Sequence, residues 1–189
     1  MTSVGVNDAL PEEVVGFILS FLDVPTLVQD KAVCQSWEWL CIHTIDQKVP
    51  TPQAFQSHDE LKTTANKYMK CNAADAEEIA TTYGWSIDRW DVSKVEDFTG
   101  LFRRERSFNE DIGSWGVSKA ICMTRMFAYA SAFNQDISSW NTTHVKDMNA
   151  MFEGASKFNR DISSWNMGNT ESMNEMFRGA ISFNQGIGS

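Results

Sequence analysis

From residue 85 onward, large apolar residues recur at a fixed interval of 25 with no insertions. Trp90, Trp115, Trp140 and Trp165 form one column. Phe102, Phe127, Phe152 and Phe177 form a second, and Phe108, Phe133, Phe158 and Phe183 a third. Ile87, Ile112, Ile137, Ile162 and Ile187, then Phe98, Met123, Met148 and Met173, then Leu101, Met126, Met151 and Met176, keep the same register. Asn109, Asn134, Asn159 and Asn184 add a polar column. Within one copy, Ile137 and Trp140 read as a short strand, and Val145, Met148, Met151, Phe152 and Ala155 recur at the spacing of one helix face. Thr143, with Ser93 and Ser118 in register, supplies N-cap candidates, Ser93 and Glu96 have capping-box spacing, and Gly154 and Gly179 read as helix ends. A unit this short cannot bury both faces alone, so the copies are expected to stack. The expected fold class is therefore an α+β repeat, a solenoid of four 25-residue strand-helix coils over 85–189, with copies starting at Trp90, Trp115, Trp140 and Trp165.

Polar columns need separate accounts. The Asn side chain can bond both a turn backbone and its neighbour in the next copy. Asp111, Asp136 and Asp161 would repel one another at the separation of adjacent coils, so each carboxylate caps turn amides or a cation sits between them. Capping is the default, because Gly186 replaces Asp in the fourth copy and no glycine-rich calcium turn is present.

The recurring W-x-x-x-x-V-x-x-M-x-x-M-F-x-x-A-x-x-F-N-x-D-I over residues 83–189 resembles the BspA-type leucine-rich repeat, the DUF285 kind. That resemblance implies a leucine-rich-repeat-like solenoid used for protein contacts, in surface proteins among others. Copy one departs from the pattern, with Arg103, Arg104 and Arg106 where a later copy has Glu153, Gly154 and Ser156. This basic cluster is the candidate for gripping an acidic partner, set against its reading as a solvated face. An open end after the fourth copy would expose Phe177, Phe183 and Ile187, which points to a truncated chain, a fragment or an end covered by a partner, truncation foremost.

Ahead of the repeats, residues 7–47 show three short helical patterns. Val14, Phe17, Ile18, Phe21 and Leu22 share one face behind Pro11, Thr26 to Lys31 forms a second helix, and Val33, Trp37, Leu40, Cys41 and Thr44 mark a third. Leu10, Pro11, Ile18, Leu22, Leu27, Val33, Cys34 and Trp37 together resemble an F-box. The resemblance implies that Leu10, Pro11, Ile18, Leu22, Val33, Cys34 and Trp37 face or support a Skp-type adaptor, with a cullin beyond it. On that reading the chain is a non-catalytic substrate-recognition adaptor of a cullin-RING ubiquitin ligase whose repeats bind a protein target. The alternative is a BspA-like surface or scaffolding repeat protein whose N-terminal helices are only a cap. Residues 48–84 connect the parts, with His58 to Lys70 and Ala73 to Tyr83 reading as helices that cover the start of copy one.

Composition narrows the function classes. Sixteen basic against 25 acidic residues give a net charge of −9, which disfavours nucleic acid and anionic membrane as partners. Residues 1–50 hold seven acids and two bases, so the acidity belongs mainly to that segment. No apolar run approaches the roughly 20 residues a membrane-spanning helix needs, and the N-terminus lacks a basic region ahead of an apolar one, so a cytoplasmic or nuclear protein is expected. Cys34, Cys41, Cys71 and Cys122 match no metal or disulfide spacing and read as free thiols. His43, His58 and His144 lie in separate segments, and no phosphate loop, nucleophile elbow or zinc motif appears, so no catalytic residue, metal or cofactor is expected. Asn141-Thr142-Thr143 is a glycosylation sequon that does not by itself place the chain outside the cell.

Overall fold

A computed structural model describes residues 52–70, 73–84 and 86–187. The three-helix F-box-like unit expected over 7–47 lies outside these residues. The chain divides into two compact units, one containing Lys67–Ser86 with Pro52 and Gln53, the other Ala54–Asn66 with Ile87 onward. Both connector helices form, α1 over His58–Lys70 and α2 over Ala73–Thr82. Helix α1 starts where Ser57 Oγ accepts the Glu60 amide, with acids in its first turn and Lys67 and Lys70 in its last, complementing the helix dipole.

In the first unit Ala76, Ile79 and Ala80 are buried, and Gln53 N donates to Thr82 O at 2.8 Å. Lys67 Nζ lies 2.6 Å from Glu78 Oε2 and 3.8 Å from Asp75 Oδ1, and the hydrogen bond to Glu78 raises the lysine pKa above its usual value.

The second unit holds the repeats, and here the strand-helix solenoid expected from the sequence is overturned. Among the described residues the helices are α1, α2 and a 3₁₀ turn at Ile87–Arg89, and the pairings are isolated parallel bridges: Asp97 with Cys122, Cys122 with Asp147, Asp147 with Ser172, and Ile162 with Ile187. The segment read as a helix is a run of turns. The amides of Phe98, Gly100, Phe102 and Arg104 donate to the carbonyls of Cys122, Thr124, Met126 and Ala128 in the next copy, at 2.8 to 2.9 Å. The intervening amides of Leu101, Arg103 and Glu105 return to Phe98, Gly100 and Phe102, three residues back. An α-helix would instead direct every amide four residues back. Left-handed residues enforce the difference at two positions per copy: Gly100 and Arg104, Arg125 and Tyr129, Ala150 and Gly154, Glu175 and Gly179. The segment read as a strand is also a turn, with Trp115 N, Trp140 N and Trp165 N returning to Ile112, Ile137 and Ile162.

Turns at three- and four-residue spacing bury the same positions that a helix face would, so the apolar columns do become the core. Phe102, Phe127 and Phe152 are fully buried and stack at 5.8 and 5.5 Å between centroids, while Phe127 and Phe133 of one copy stack at 3.9 Å. Polar columns tie successive copies. The indole Nε1 groups of Trp115, Trp140 and Trp165 donate to the carbonyls of Ile87, Ile112 and Ile137 at 2.7 to 3.1 Å. Ser139 and Ser164 hydroxyls donate to Gly113 O and Ser138 O. The Oδ1 atoms of Asn109, Asn134 and Asn159 accept the amides of Asn134, Asn159 and Asn184 at 2.7 to 3.0 Å. In copy four Met173, Ile181 and Ile187 are exposed and Phe177 and Phe183 are half-buried.

Residues 54–66 cover the first copy. In later copies the carbonyls of Cys122 and Met126 accept amides from the copy before them. The equivalent carbonyls in copy one, Asp97 O and Leu101 O, meet side chains of α1 instead: His58 Nδ1 lies 3.0 Å from Asp97 O, and Lys62 Nζ donates to Gly100 O and Leu101 O at 2.5 and 2.6 Å. One helix turn separates His58 from Lys62, so a single face presents both donors. Phe55 N donates to Asp91 O, and the Phe55 ring lies 5.1 Å from that of Trp90. Burial pushes the Lys62 ammonium below its usual pKa, partly offset by the charge of Glu105.

The Asp column caps turns. Asp111, Asp136 and Asp161 Oδ1 each accept the amide two residues on, at 2.9 Å. The backbone amides of Ser138 and Ser163, followed by their hydroxyls, hold Asp136 and Asp161 below the usual carboxylate range. A carboxyl whose folded pKa is depressed contributes stability above the unfolded pKa and loses it as pH falls through the folded value. Thermal melts should therefore show the native chain losing stability below about pH 4. The double variant D136N/D161N, whose amide oxygens still accept the same bonds, should lose less between pH 6 and pH 3. Equal losses in both proteins would contradict this role.

Candidate functional site

The copies differ from one another at one corner of the stack. The left-handed position occupied by Gly154 and Gly179 in later copies holds Arg104 in copy one, at φ 69°, and Tyr129 in copy two, at φ 63°. Both line a cavity of about 320 Å³, together with Arg106. Arg103, Arg104 and Arg106 are all exposed, and among the described residues none has a carboxylate partner within ion-pair distance. Of the three arginines singled out in the sequence, the structure brings Arg104 and Arg106 to the cavity, whereas Arg103 is not among its lining residues.

Tyr129 is the residue that sequence reasoning missed. Its ring lies over Gly154, where an added Cβ would come within 2.6 Å of Tyr129 Cδ1. Its hydroxyl donates to Glu153 Oε1 at 2.6 Å. That hydrogen bond, then burial and the charge of Glu153, raises the phenol above the usual tyrosine range, with Arg178 and Arg104 pulling the other way. The ring is thus seated on a glycine and tethered at its tip. The signal was present in the alignment of copies, since an aromatic stands in a column that otherwise reads Arg, Gly, Gly.

No group of three or more His, Cys, Asp or Glu side chains among the described residues is arranged to hold a metal ion. His58 and His144 each approach a backbone carbonyl, Asp97 O and Ser118 O, at 3.0 Å. Cys122 is a free thiol within 3.2 Å of Thr99 Oγ1. No helix among the described residues is long and apolar enough to cross a membrane. The adaptor-facing candidates Leu10, Pro11, Ile18, Leu22, Val33, Cys34 and Trp37 lie outside the described residues.

A family model described as "Mycoplasma protein of unknown function, DUF285" matches residues 54–189. The chain belongs to the DUF285 family. No curated protein and no solved structure matches it. The DUF285 match starts at the residue that opens the second compact unit, Ala54, so it takes in the covering segment that carries His58 and Lys62 as well as all four copies. It extends the resemblance read from the repeat motif, which begins at residue 83, and it does not include residues 7–47.

Proposed function

We propose that this DUF285 chain is a non-catalytic, BspA-like repeat protein that binds other proteins through the outer surface of its stacked copies, at the cell surface or as a scaffold. The family match over residues 54–189 carries this reading. The arrangement of the stack supports it: the apolar columns are spent on the core and the Trp, Ser and Asn columns on ties between copies, which leaves residues that vary between copies to face solvent. Docking on a Skp-type adaptor rests on the pattern of residues 7–47 alone and stands second.

Labelling intact source cells with a membrane-impermeant biotin reagent, alongside a cytosolic control protein, tests the reading. Labelling of this chain while the control stays unlabelled is the expected result for a surface protein. Protection of the chain, with co-precipitation of an adaptor and cullin that is lost on Leu10→Ala with Pro11→Ala, would overturn it in favour of a ligase subunit.

A further inference from the structure

We infer that the cavity between Arg104, Arg106 and Tyr129 is a recognition site for an oxyanion carried on a partner peptide, either the carboxylate of an acidic side chain or the phosphoryl group of a phosphorylated one. This deepens the protein-binding reading by assigning a partner chemistry to one place on the surface.

Three independent observations converge there. The first is charge without a partner. Arg104 and Arg106 line one cavity, and neither guanidinium takes part in an ion pair or a hydrogen bond among the described residues. Guanidinium groups bind carboxylate and phosphoryl oxygens through paired N–H donors, so two unengaged ones at one cavity select for such groups. The second is backbone strain. A side chain in the left-handed region is strained relative to ordinary backbone, a cost that glycine avoids at Gly154 and Gly179. The two non-glycine residues in this column are the two that line the cavity, although Arg125, Ala150 and Glu175 hold the same conformation away from it. The third is the fixing of Tyr129, whose ring rests on Gly154 and whose hydroxyl is engaged by Glu153.

The surroundings decide between kinds of anion. A net charge of −9 repels extended polyanions such as nucleic acid, while a local basic cavity still admits a single anionic group. At about 320 Å³ the cavity exceeds a bare anion and has room for the side chain that bears one. The rigid ring of Tyr129 offers an apolar contact to neighbouring peptide atoms.

The test uses the purified 189-residue chain and fluorescein-labelled peptides of the form Gly-Ser-X-X-Ser-Gly, followed by fluorescence anisotropy. X is glutamate, glutamine, phosphoserine or serine. The glutamate or the phosphoserine peptide is expected to bind at least about tenfold more tightly than its neutral counterpart, and whichever does so identifies the source of the oxyanion. Binding should weaken at least about tenfold in R104Q/R106Q, weaken as salt is raised, and remain unchanged in R103Q. Because the replaced side chains make no internal bonds, the double variant is expected to melt with the native chain, and that melt is measured in parallel. Binding unaffected by R104Q/R106Q, or no preference for either anionic peptide, would overturn the proposal. Inorganic phosphate competing as tightly as the phosphoserine peptide would overturn the peptide as carrier. None of these results depends on where the protein resides in the cell, so failure here is distinct from failure of the surface reading.

Discussion

Replacing Phe127 by alanine is expected to destabilise the stack by about 4 kcal/mol, the range for deleting a buried phenylalanine ring. Phe127 is fully buried and sits at the crossing of two ladders. Its ring lies 5.8 Å from Phe102 and 5.5 Å from Phe152 in the adjacent copies, 3.9 Å from Phe133 in its own, and within 6.5 Å of Phe108 and Trp140. Its amide donates to Met151 O, so the backbone that would have to collapse into the void is itself tied to the next copy. Partial relaxation keeps the cost high. Urea unfolding followed by tryptophan fluorescence should show the midpoint falling by roughly 2 M. Ile121→Ala, at a position 40% exposed, should change stability by less than about 1 kcal/mol. A Phe127→Ala midpoint within the error of the native one would show that the ladders do not hold the copies together.

The second large effect is expected at the covered end. In Lys62→Met the methylene stem is retained and the donor is lost, leaving Gly100 O and Leu101 O without the ammonium they receive from α1. Leu101 is buried, so its carbonyl has no ready access to water. A buried acceptor left unsatisfied costs about 1–3 kcal/mol, and a charged donor lies toward the upper end, so a loss of about 2–3 kcal/mol is expected. Lys62→Arg should recover part of it. Amide hydrogen exchange locates the effect: Phe55 N, bonded to Asp91 O, and Val95 N, bonded to Val92 O, should lose more protection than Phe152 N in the third copy. Uniform loss along the chain, or no loss, would contradict the role given to Lys62.

These two residues mark how far the sequence could be read. The columns that form the core were legible because burial in a repeat is periodic whatever the backbone does, and Phe127, Trp140 and Met151 are buried as their columns predict. The backbone was not legible from spacing. Positions such as Met148, Met151, Phe152 and Ala155 satisfy a helix face and a train of turns equally well. What separates them is the pair of left-handed residues four apart in each copy, and five of the eight such positions from Gly100 to Gly179 are occupied by Arg, Tyr, Ala or Glu, residue types that give no sign of that conformation. Gly100 falls inside the expected first helix and was the clearest hint against it. Helix α1 was legible, but not that His58 and Lys62 would stand in for the amides of an absent preceding copy, because a backbone carbonyl leaves no mark in the sequence. At the candidate site the arginines stood out as departures from the repeat, and Tyr129 needed the same comparison applied to copy two.

Where the amides of the repeat send their hydrogen bonds sets which residues reach the surface corner. Scalar couplings across hydrogen bonds in an isotope-labelled sample measure this directly. Phe127 N–H should couple to the carbonyl carbon of Met151, 24 residues ahead, and Phe102 N–H to that of Met126. Coupling of Phe127 N–H to Met123, four residues back, would restore the helix and contradict the stack of turns described above.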